Sequence, residues 1–129
     1  MAGRFCLDTN IAVAYLNGEE ALLTHVKDAD EIWLAPIVFG ELLFGAAKST
    51  RAKENKERIV RLIEDFELLP WIQDVGHRFA DVKLELKRKG KPIPENDLWI
   101  AAFALASKLP LVTRDAHFDE IEQLTVERW

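Results

Sequence analysis

Short apolar runs alternate with longer amphipathic stretches along most of the chain. The short runs, bounded by turn-forming or charged residues, predict strands at 4–7, 32–35, 67–69, 109–113 and 124–127. The longer stretches repeat apolar residues at helical spacing and predict helices at 9–16, 19–28, 36–47, 51–67, 75–90 and 94–108. Strands that alternate with helices need a mostly parallel sheet covered by helices. The pattern therefore predicts an α/β fold, which binds ligands beyond the carboxyl ends of its strands.

Local signals refine these elements. Thr9 is expected to cap the first helix, and Asn17-Gly18 to end it. Pro36 suits the first turn of the third helix. The helix that follows Pro94 contains nine uncharged apolar residues in succession, from 98 to 106, so it is expected to lie centrally in the core.

Length and composition favour one globular domain over residues 1–129. The chain has 129 residues, of which 49% are hydrophobic and 30% charged. Its single cysteine, Cys6, lies in an apolar run and is expected to pack as a small buried residue. No apolar stretch is long enough for a membrane span, and the N-terminus does not resemble a signal peptide. A reducing cytoplasm is the expected compartment, with no membrane partner.

Charge is distributed unevenly along the chain. The net charge is −5, yet residues 48–91 are basic overall while the segments before and after them are acidic. Two clusters of lysine and arginine, at 48–61 and 83–91, account for most of the basic charge. They are interpreted either as solvated helix faces or as a positive rim that holds a polyanion around an acidic centre.

Four acidic residues stand at positions where chemistry is expected. Asp8 follows the first strand and Asp115 follows the strand at 109–113, although either could serve only as a helix cap. Glu41 is the one charge among residues 35–47, so it is expected to be buried, where a carboxylate needs a cation, hydrogen-bond donors or a metal. Asp97 lies in the first turn of its helix, where the dipole alone favours an anion.

Carboxylates that cluster at one sheet edge repel each other and require neutralisation. Ligation by oxygen without cysteine or histidine favours Mg²⁺, or Mn²⁺ in its place, over zinc. Magnesium held by carboxylates suits phosphoryl chemistry. The dinucleotide fingerprint and the phosphate-binding loop are both absent from the sequence. His25, His77 and His117 are predicted to lie on the surface and to be non-catalytic.

Four sequence motifs together resemble the PIN domain. They are Leu-Asp-Thr-Asn at 7–10, Gly-Glu-Leu-Leu-Phe-Gly at 40–45, Asn-Asp-Leu-Trp-Ile-Ala-Ala at 96–102 and Leu-Val-Thr-Arg-Asp at 111–115. Their order and spacing are most similar to VapC-type toxins of bacterial toxin–antitoxin pairs. The segment Lys-Arg-Lys-Gly-Lys-Pro-Ile at 87–93 fits the same group.

The resemblance implies a three-layer α/β/α sandwich with a short parallel sheet, Mg²⁺-dependent endoribonuclease activity, a homodimer and a small antitoxin that blocks the site. By position it implies an acidic quartet of catalytic and metal-binding residues, which are Asp8, Glu41, Asp97 and Asp115. Asn10 and Thr113 are expected to orient a carboxylate or water. Relatives often carry Asn where Arg114 stands. This arginine could contact substrate phosphate, pair with Asp115 or face solvent.

Three functional hypotheses remain open from the sequence. The first is a metal-dependent endoribonuclease, with tRNA as a plausible target. Its candidate RNA contacts are Lys87, Arg88, Lys89, Lys91 and Arg114. The second is a catalytically silent binding or regulatory domain, against which the presence of all four acids argues. The third is a PIN nuclease that acts on other RNA or on DNA. Asp119, a further acid near the fourth motif, is expected to lie at the surface.

Overall fold

The computed structural model describes residues 3–129 and contains one parallel sheet of five strands. The strands are β1 (Arg4–Leu7), β2 (Glu31–Leu34), β3 (Glu67–Leu68), β4 (Leu111–Val112) and β5 (Val126–Glu127). Their order across the sheet is β3-β2-β1-β4-β5. Met1 and Ala2 lie outside the described residues. They begin the N-terminal segment that is expected not to be a signal peptide.

Six α-helices flank this sheet. They are α1 (Thr9–Leu16), α2 (Glu20–Asp28), α3 (Pro36–Ala47), α4 (Ala52–Asp65), α5 (Gln73–Arg88) and α6 (Glu95–Ala106). Contacts are made between α3 and α4 and between α5 and α6, and α3 also contacts α1 and α6. The predicted α/β/α sandwich with a short parallel sheet is confirmed. None of the helices in residues 3–129 is long and apolar enough to cross a membrane.

The register of the sheet brings two strand ends together. β1 lies at the centre, with Cys6 opposite Trp33 of β2 and Leu7 opposite Val112 of β4. The Asp8 N–H donates to the Val112 carbonyl at 2.9 Å, so the pairing extends one residue past β1. Since both strands run in the same direction, the residues that follow them emerge at one edge of the sheet.

The core agrees with the apolar pattern of the sequence. All but one of the residues from Leu98 to Leu105 are buried, which confirms the central position predicted for α6. Cys6 is fully buried, as expected, and burial raises the pKa of its thiol to about 12. A thiol that stays protonated is a poor nucleophile, so Cys6 serves packing.

Two local predictions differ from the structure. The cap of α1 is Asp8 rather than Thr9, because the Asp8 side chain accepts from the Thr9 N–H while its own backbone is extended. A short 3₁₀ helix at Ala116–Glu120, capped by Asp115, was not predicted. Its five residues are too few to show a helical repeat of apolar positions, so the sequence pattern gives no signal for it.

Candidate active site

Asp8 lies at the carboxyl edge of the sheet, between β1 and α1. Its side chain is 5% exposed. The Oδ1 atom accepts from the Thr9 N–H at 2.8 Å, and the Oδ2 atom accepts from the Thr113 hydroxyl at 2.7 Å. Both oxygens are therefore held in place by the chain itself.

Burial raises the pKa of Asp8 from 3.8 to about 6. The hydrogen bonds from Thr113 and Thr9 oppose that rise, whereas the negative charges of Asp97 and Asp115 add to it. A carboxylate that is buried beside two others is costly to ionise unless a cation accompanies it. Asp8 thus has the electrostatic character of a cation ligand.

Asp97 and Asp115 meet His117 beside this position. One ligand atom from each of the three side chains lies within 4.8 Å of the others. The His117 Nδ1 is 3.2 Å from Asp97 Oδ2 and 3.2 Å from Asp115 Oδ1. The imidazole therefore contacts two carboxylates from different parts of the fold. Asp97 lies in α6, and Asp115 lies in the turn after β4.

The pKa of Asp97 is also raised. Burial is the main cause, and the charges of Asp115 and Glu41 act in the same direction, while the His117 contact opposes them. The carboxylates of Asp8, Asp97, Asp115 and Glu41 are thus close enough to influence one another. The structure brings together the four acids that the sequence analysis selected.

Glu41 approaches the cluster from α3 but is half-buried, so the expectation of a buried carboxylate was wrong. The helix buries Val38, Leu42 and Ala46, and its other side is open. Within residues 3–129 no cation pairs with Glu41. Its Oε1 accepts from the Thr9 hydroxyl at 2.6 Å, and its Oε2 from the Asn96 amide at 3.4 Å.

The donor set fits a divalent cation. Carboxylate oxygens from Asp97 and Asp115 stand together, and Asp8 is coupled electrostatically to both. Ligation by oxygen without histidine was expected from the sequence. In the structure, His117 lies among the candidate ligands. The carboxylates alone suit Mg²⁺, which is bound by oxygen ligands, whereas an added imidazole would suit a transition metal such as Mn²⁺.

Thr113 and Asn10, the two residues expected to orient a carboxylate or water, differ in placement. Thr113 is fully buried and, besides donating to Asp8, accepts from the Asp115 N–H at 3.0 Å. Asn10 is exposed, and in the part of the chain described here its side chain donates to none of the four carboxylates. The neighbouring Thr9 makes the contact with Glu41 instead.

Arg114 does not pair with Asp115, and its side chain is partly exposed to solvent. Its guanidinium forms a two-armed ion pair with Glu19 and donates to the Trp129 carbonyl. This pairing raises the pKa of Arg114 and lowers that of Glu19. A contact between Arg114 and phosphate stays a prediction. Asp119 is exposed and pairs with Arg128 at 2.8 Å, which confirms its expected surface position.

The four basic residues at 87–91 divide into two that form ion pairs and two that do not. Lys89 lies 3.4 Å from both Glu85 and Glu122, and Lys91 lies 3.3 Å from Glu120. Lys87 and Arg88 are exposed, and no acidic side chain of residues 3–129 forms an ion pair with either. Among the basic residues at 83–91, these two are the ones that form no ion pair, since Lys83 also pairs with Glu95.

Three contact residues were not selected from the sequence, namely Thr9, Asn96 and His117. Thr9 and Asn96 each adjoin a selected acid within a recognised motif, so adjacency was an available signal. His117 is exposed, as predicted, but it lies at the acidic cluster. Its position two residues after Asp115 becomes informative only with the 3₁₀ turn that folds it back.

The chain is similar to known proteins along almost its whole length. The family model described as "PIN domain" matches residues 5–124. The chain is 33% identical to Ribonuclease VapC2 of Haemophilus influenzae, and the alignment covers 98% of each protein. It is 25% identical to the tRNA(fMet)-specific endonuclease VapC of Shigella flexneri, again over 98% of each.

Solved structures of VapBC proteins have a fold similar to that of this chain. VapBC2 from Rickettsia felis, bound to a DNA fragment from its promoter, superposes with a TM-score of 0.89 at 28% identity, covering 100% of this chain and 99% of that one. VapBC-5 from Mycobacterium tuberculosis, of the VapBC family of toxin-antitoxin systems, gives 0.75 at 28% identity, covering 97% and 96%. The chain therefore belongs to the PIN-domain family, among the VapC ribonucleases.

Proposed function

We propose that this chain is a metal-dependent endoribonuclease and the toxin of a toxin–antitoxin pair, formed by a single domain over residues 1–129. The observation that carries the proposal is the convergence of four carboxylates, from β1, α3, α6 and the turn after β4, at one edge of the sheet. Membership of the family supports it, as do the ribonuclease names of relatives that align over nearly the whole chain.

The proposed cofactor is Mg²⁺, with Mn²⁺ as a substitute. Asp8, Asp97 and Asp115 would hold it, and His117 is close enough to join them when Mn²⁺ is bound. A bound divalent cation polarises the phosphate, lowers the pKa of its water and neutralises charge on the leaving oxygen. The raised pKa values of Asp8 and Asp97 support this assignment, because a cation offsets both the burial that mainly raises them and the neighbouring negative charges that add to the rise.

The chain's own residues position the reactants. Thr113 and Thr9 fix the two oxygens of Asp8, so that this carboxylate needs no reorganisation when substrate binds. Glu41, held by Thr9 and Asn96, is half-buried and accessible from the groove beside α3. It is assigned to orient the water that attacks phosphorus and to accept its proton, while the bond to the leaving oxygen breaks.

The proposed substrate is RNA, and tRNA is the first candidate because the Shigella relative is named for a tRNA. An antitoxin is the proposed protein partner, since structural neighbours are VapBC toxin–antitoxin complexes. A homodimer is the proposed assembly. A catalytically silent domain is disfavoured because all four carboxylates are present, and a preference for other RNA or for DNA is an outcome that the assay below distinguishes.

The deciding experiment incubates the purified chain with total RNA, purified tRNA and single-stranded DNA, in Mg²⁺ and then in EDTA. Cleavage of RNA in Mg²⁺ alone is expected. Asp8→Asn should abolish it, whereas Asp81→Asn, which neutralises an exposed acid on α5, should retain it. Undiminished cleavage in EDTA, or by the Asp8→Asn variant, would contradict the proposed mechanism.

A further inference from the structure

One side of α3 carries a line of chemically distinct side chains beside the acidic cluster. Glu41, Phe44 and Lys48 are separated by three and four positions, so they project from the same side of the helix. Phe44 is 67% exposed and is the most exposed large apolar side chain in residues 3–129. An aromatic ring left in water beside a proposed active site is available for a ligand to cover.

This line borders an open groove that runs into the proposed active site. The groove has a volume of about 630 Å³. It is lined by residues of α1, α3 and α6, including Thr9, Phe44, Lys48 and Asn96. A β-carbon at Gly40 or Gly45 would meet no other atom within 4 Å, so the helix surface beside Phe44 is bare backbone with space above it. A flat group can therefore approach the ring closely.

The far end of the groove is basic. The Lys48 Nζ lies over the Phe44 ring, 5.0 Å from its centre, and Phe44 nevertheless remains 67% exposed. No acidic side chain in the described part of the chain forms an ion pair with Lys48. The groove thus runs from the Glu41 carboxylate, past an exposed ring, to an ammonium that contacts this ring. That sequence of charges complements a polyanion that carries planar bases.

We propose that this groove binds single-stranded RNA next to the scissile phosphate, with one nucleobase stacked on Phe44 and a backbone phosphate contacted by Lys48. The inference rests on the proposed ribonuclease function and adds a substrate subsite to it. Stacking on an aromatic side chain accepts every base, since each has a π-face. Because stacked neighbours cover both faces of a base within a duplex, the subsite selects unpaired nucleotides whose faces are open.

The first test measures KM and kcat for cleavage of an unstructured oligoribonucleotide in Mg²⁺. Phe44→Ala should raise KM about tenfold, and Phe44→Trp should retain the parental value, because stacking needs an aromatic face. Trp71→Ala is the matched control, since Trp71 is 60% exposed and does not line the groove. A parental KM for Phe44→Ala would overturn the proposal.

The second test locates the stacked base. A series of oligoribonucleotides carries one abasic nucleotide at successive positions around the cleaved bond. Parent protein should lose about tenfold in kcat/KM at one position, and Phe44→Ala should show no further loss there. A variant that loses as much as the parent at every position would exclude stacking on Phe44.

The third test separates this inference from the ribonuclease proposal. Binding of the same RNA, labelled with fluorescein, is followed by anisotropy. This measurement reports RNA binding even if the parent does not cleave, and Phe44→Ala should weaken it. Lys48→Gln should reduce the salt-dependence slope by up to ~0.7, whereas Lys53→Gln on α4 should not. If Phe44→Ala leaves RNA binding unchanged but alters the oligomeric state in sedimentation, the groove is a protein interface and the proposal fails.

Discussion

The Thr113 hydroxyl joins the ends of β1 and β4 by donating to Asp8 Oδ2 at 2.7 Å, across 105 positions of the sequence. The same oxygen accepts from the Asp115 N–H at 3.0 Å. Thr113 is fully buried, so no water competes for either bond. One hydroxyl therefore connects the Asp8 carboxylate to the backbone of Asp115.

Replacing Thr113 by Val removes this hydroxyl and keeps the shape of the side chain. Asp8 then loses a buried donor, and the Asp115 N–H loses its acceptor. We expect the free energy of unfolding to fall by about 1–3 kcal/mol at pH 7, as for other buried polar groups left unpaired. RNA cleavage should fall as well, since Asp8 is no longer held. Urea unfolding and the cleavage assay provide the two measurements.

Thr113→Ser is the control, because it restores the hydroxyl and removes only a methyl group. It should recover most of the cleavage rate that Thr113→Val loses. If the Val and Ser variants cleave RNA equally well, Thr113 contributes packing alone and has no positioning role.

Asp8→Asn is expected to stabilise the metal-free protein while abolishing cleavage. The pKa of Asp8 is raised from 3.8 to about 6, so above pH 6 its ionised form opposes folding. Two pKa units correspond to about 3 kcal/mol, and lost hydrogen bonding reduces the net gain to about 1–2 kcal/mol. Unfolding in EDTA at pH 7.5 measures the gain. A destabilised variant would show that Asp8 serves mainly as a helix cap.

The same shift predicts a pH dependence. Below about pH 4, Asp8 is protonated in both the folded and the unfolded state, so the electrostatic gain of Asp8→Asn should disappear and only the cost of its lost hydrogen bonds should remain. Between about pH 4 and 6 the unfolded state ionises first, and the parent loses stability relative to the variant. Glu19 and Glu31, whose pKa values are lowered, affect both proteins alike. A difference that stays constant from pH 4 to 7 would refute the assigned pKa shift.

Mg²⁺ or Mn²⁺ should raise the melting temperature of the parent protein. A ligand that binds only the folded state adds about 2.7 kcal/mol at one hundred times its Kd, which is a shift of several degrees. Asp97→Asn and Asp115→Asn should each reduce this metal-dependent shift, measured within each variant with and without the ion. Asp81→Asn should keep it. Equal shifts in all four proteins would place the metal elsewhere.

The parallel sheet and the positions of the acids could be predicted because they depend on local patterns. Short apolar runs alternating with amphipathic stretches indicate βαβ units, and parallel strands end at a common edge. Asp8 and Asp115 each follow such a run, so their meeting follows from topology alone. The continuous apolar sequence of α6 likewise indicates burial on all sides.

The partners of individual side chains could not be predicted, because they depend on which helix faces the fold leaves uncovered. The apolar sequence around Glu41 suggested burial, yet α3 has neighbours on only part of its surface, and Phe44 faces water. Arg114 pairs with Glu19, 95 positions away. No spacing rule in the sequence reports a contact of that range.

The division of the basic cluster gives a final prediction about RNA binding. Lys87→Gln with Arg88→Gln removes two unpaired charges, whereas Lys89→Gln with Lys91→Gln removes charges already neutralised by Glu85, Glu120 and Glu122. The first double variant should bind single-stranded RNA more weakly and reduce the salt-dependence slope by up to ~1.4. The second should leave the slope nearly unchanged, and it should alter thermal stability little because water reaches its ion pairs. Both variants remove two positive charges and take the net charge further below −5 by the same amount, so a long-range effect of charge alone would affect them equally. Equal slopes in the titrations would therefore show that neither pair contacts phosphate directly.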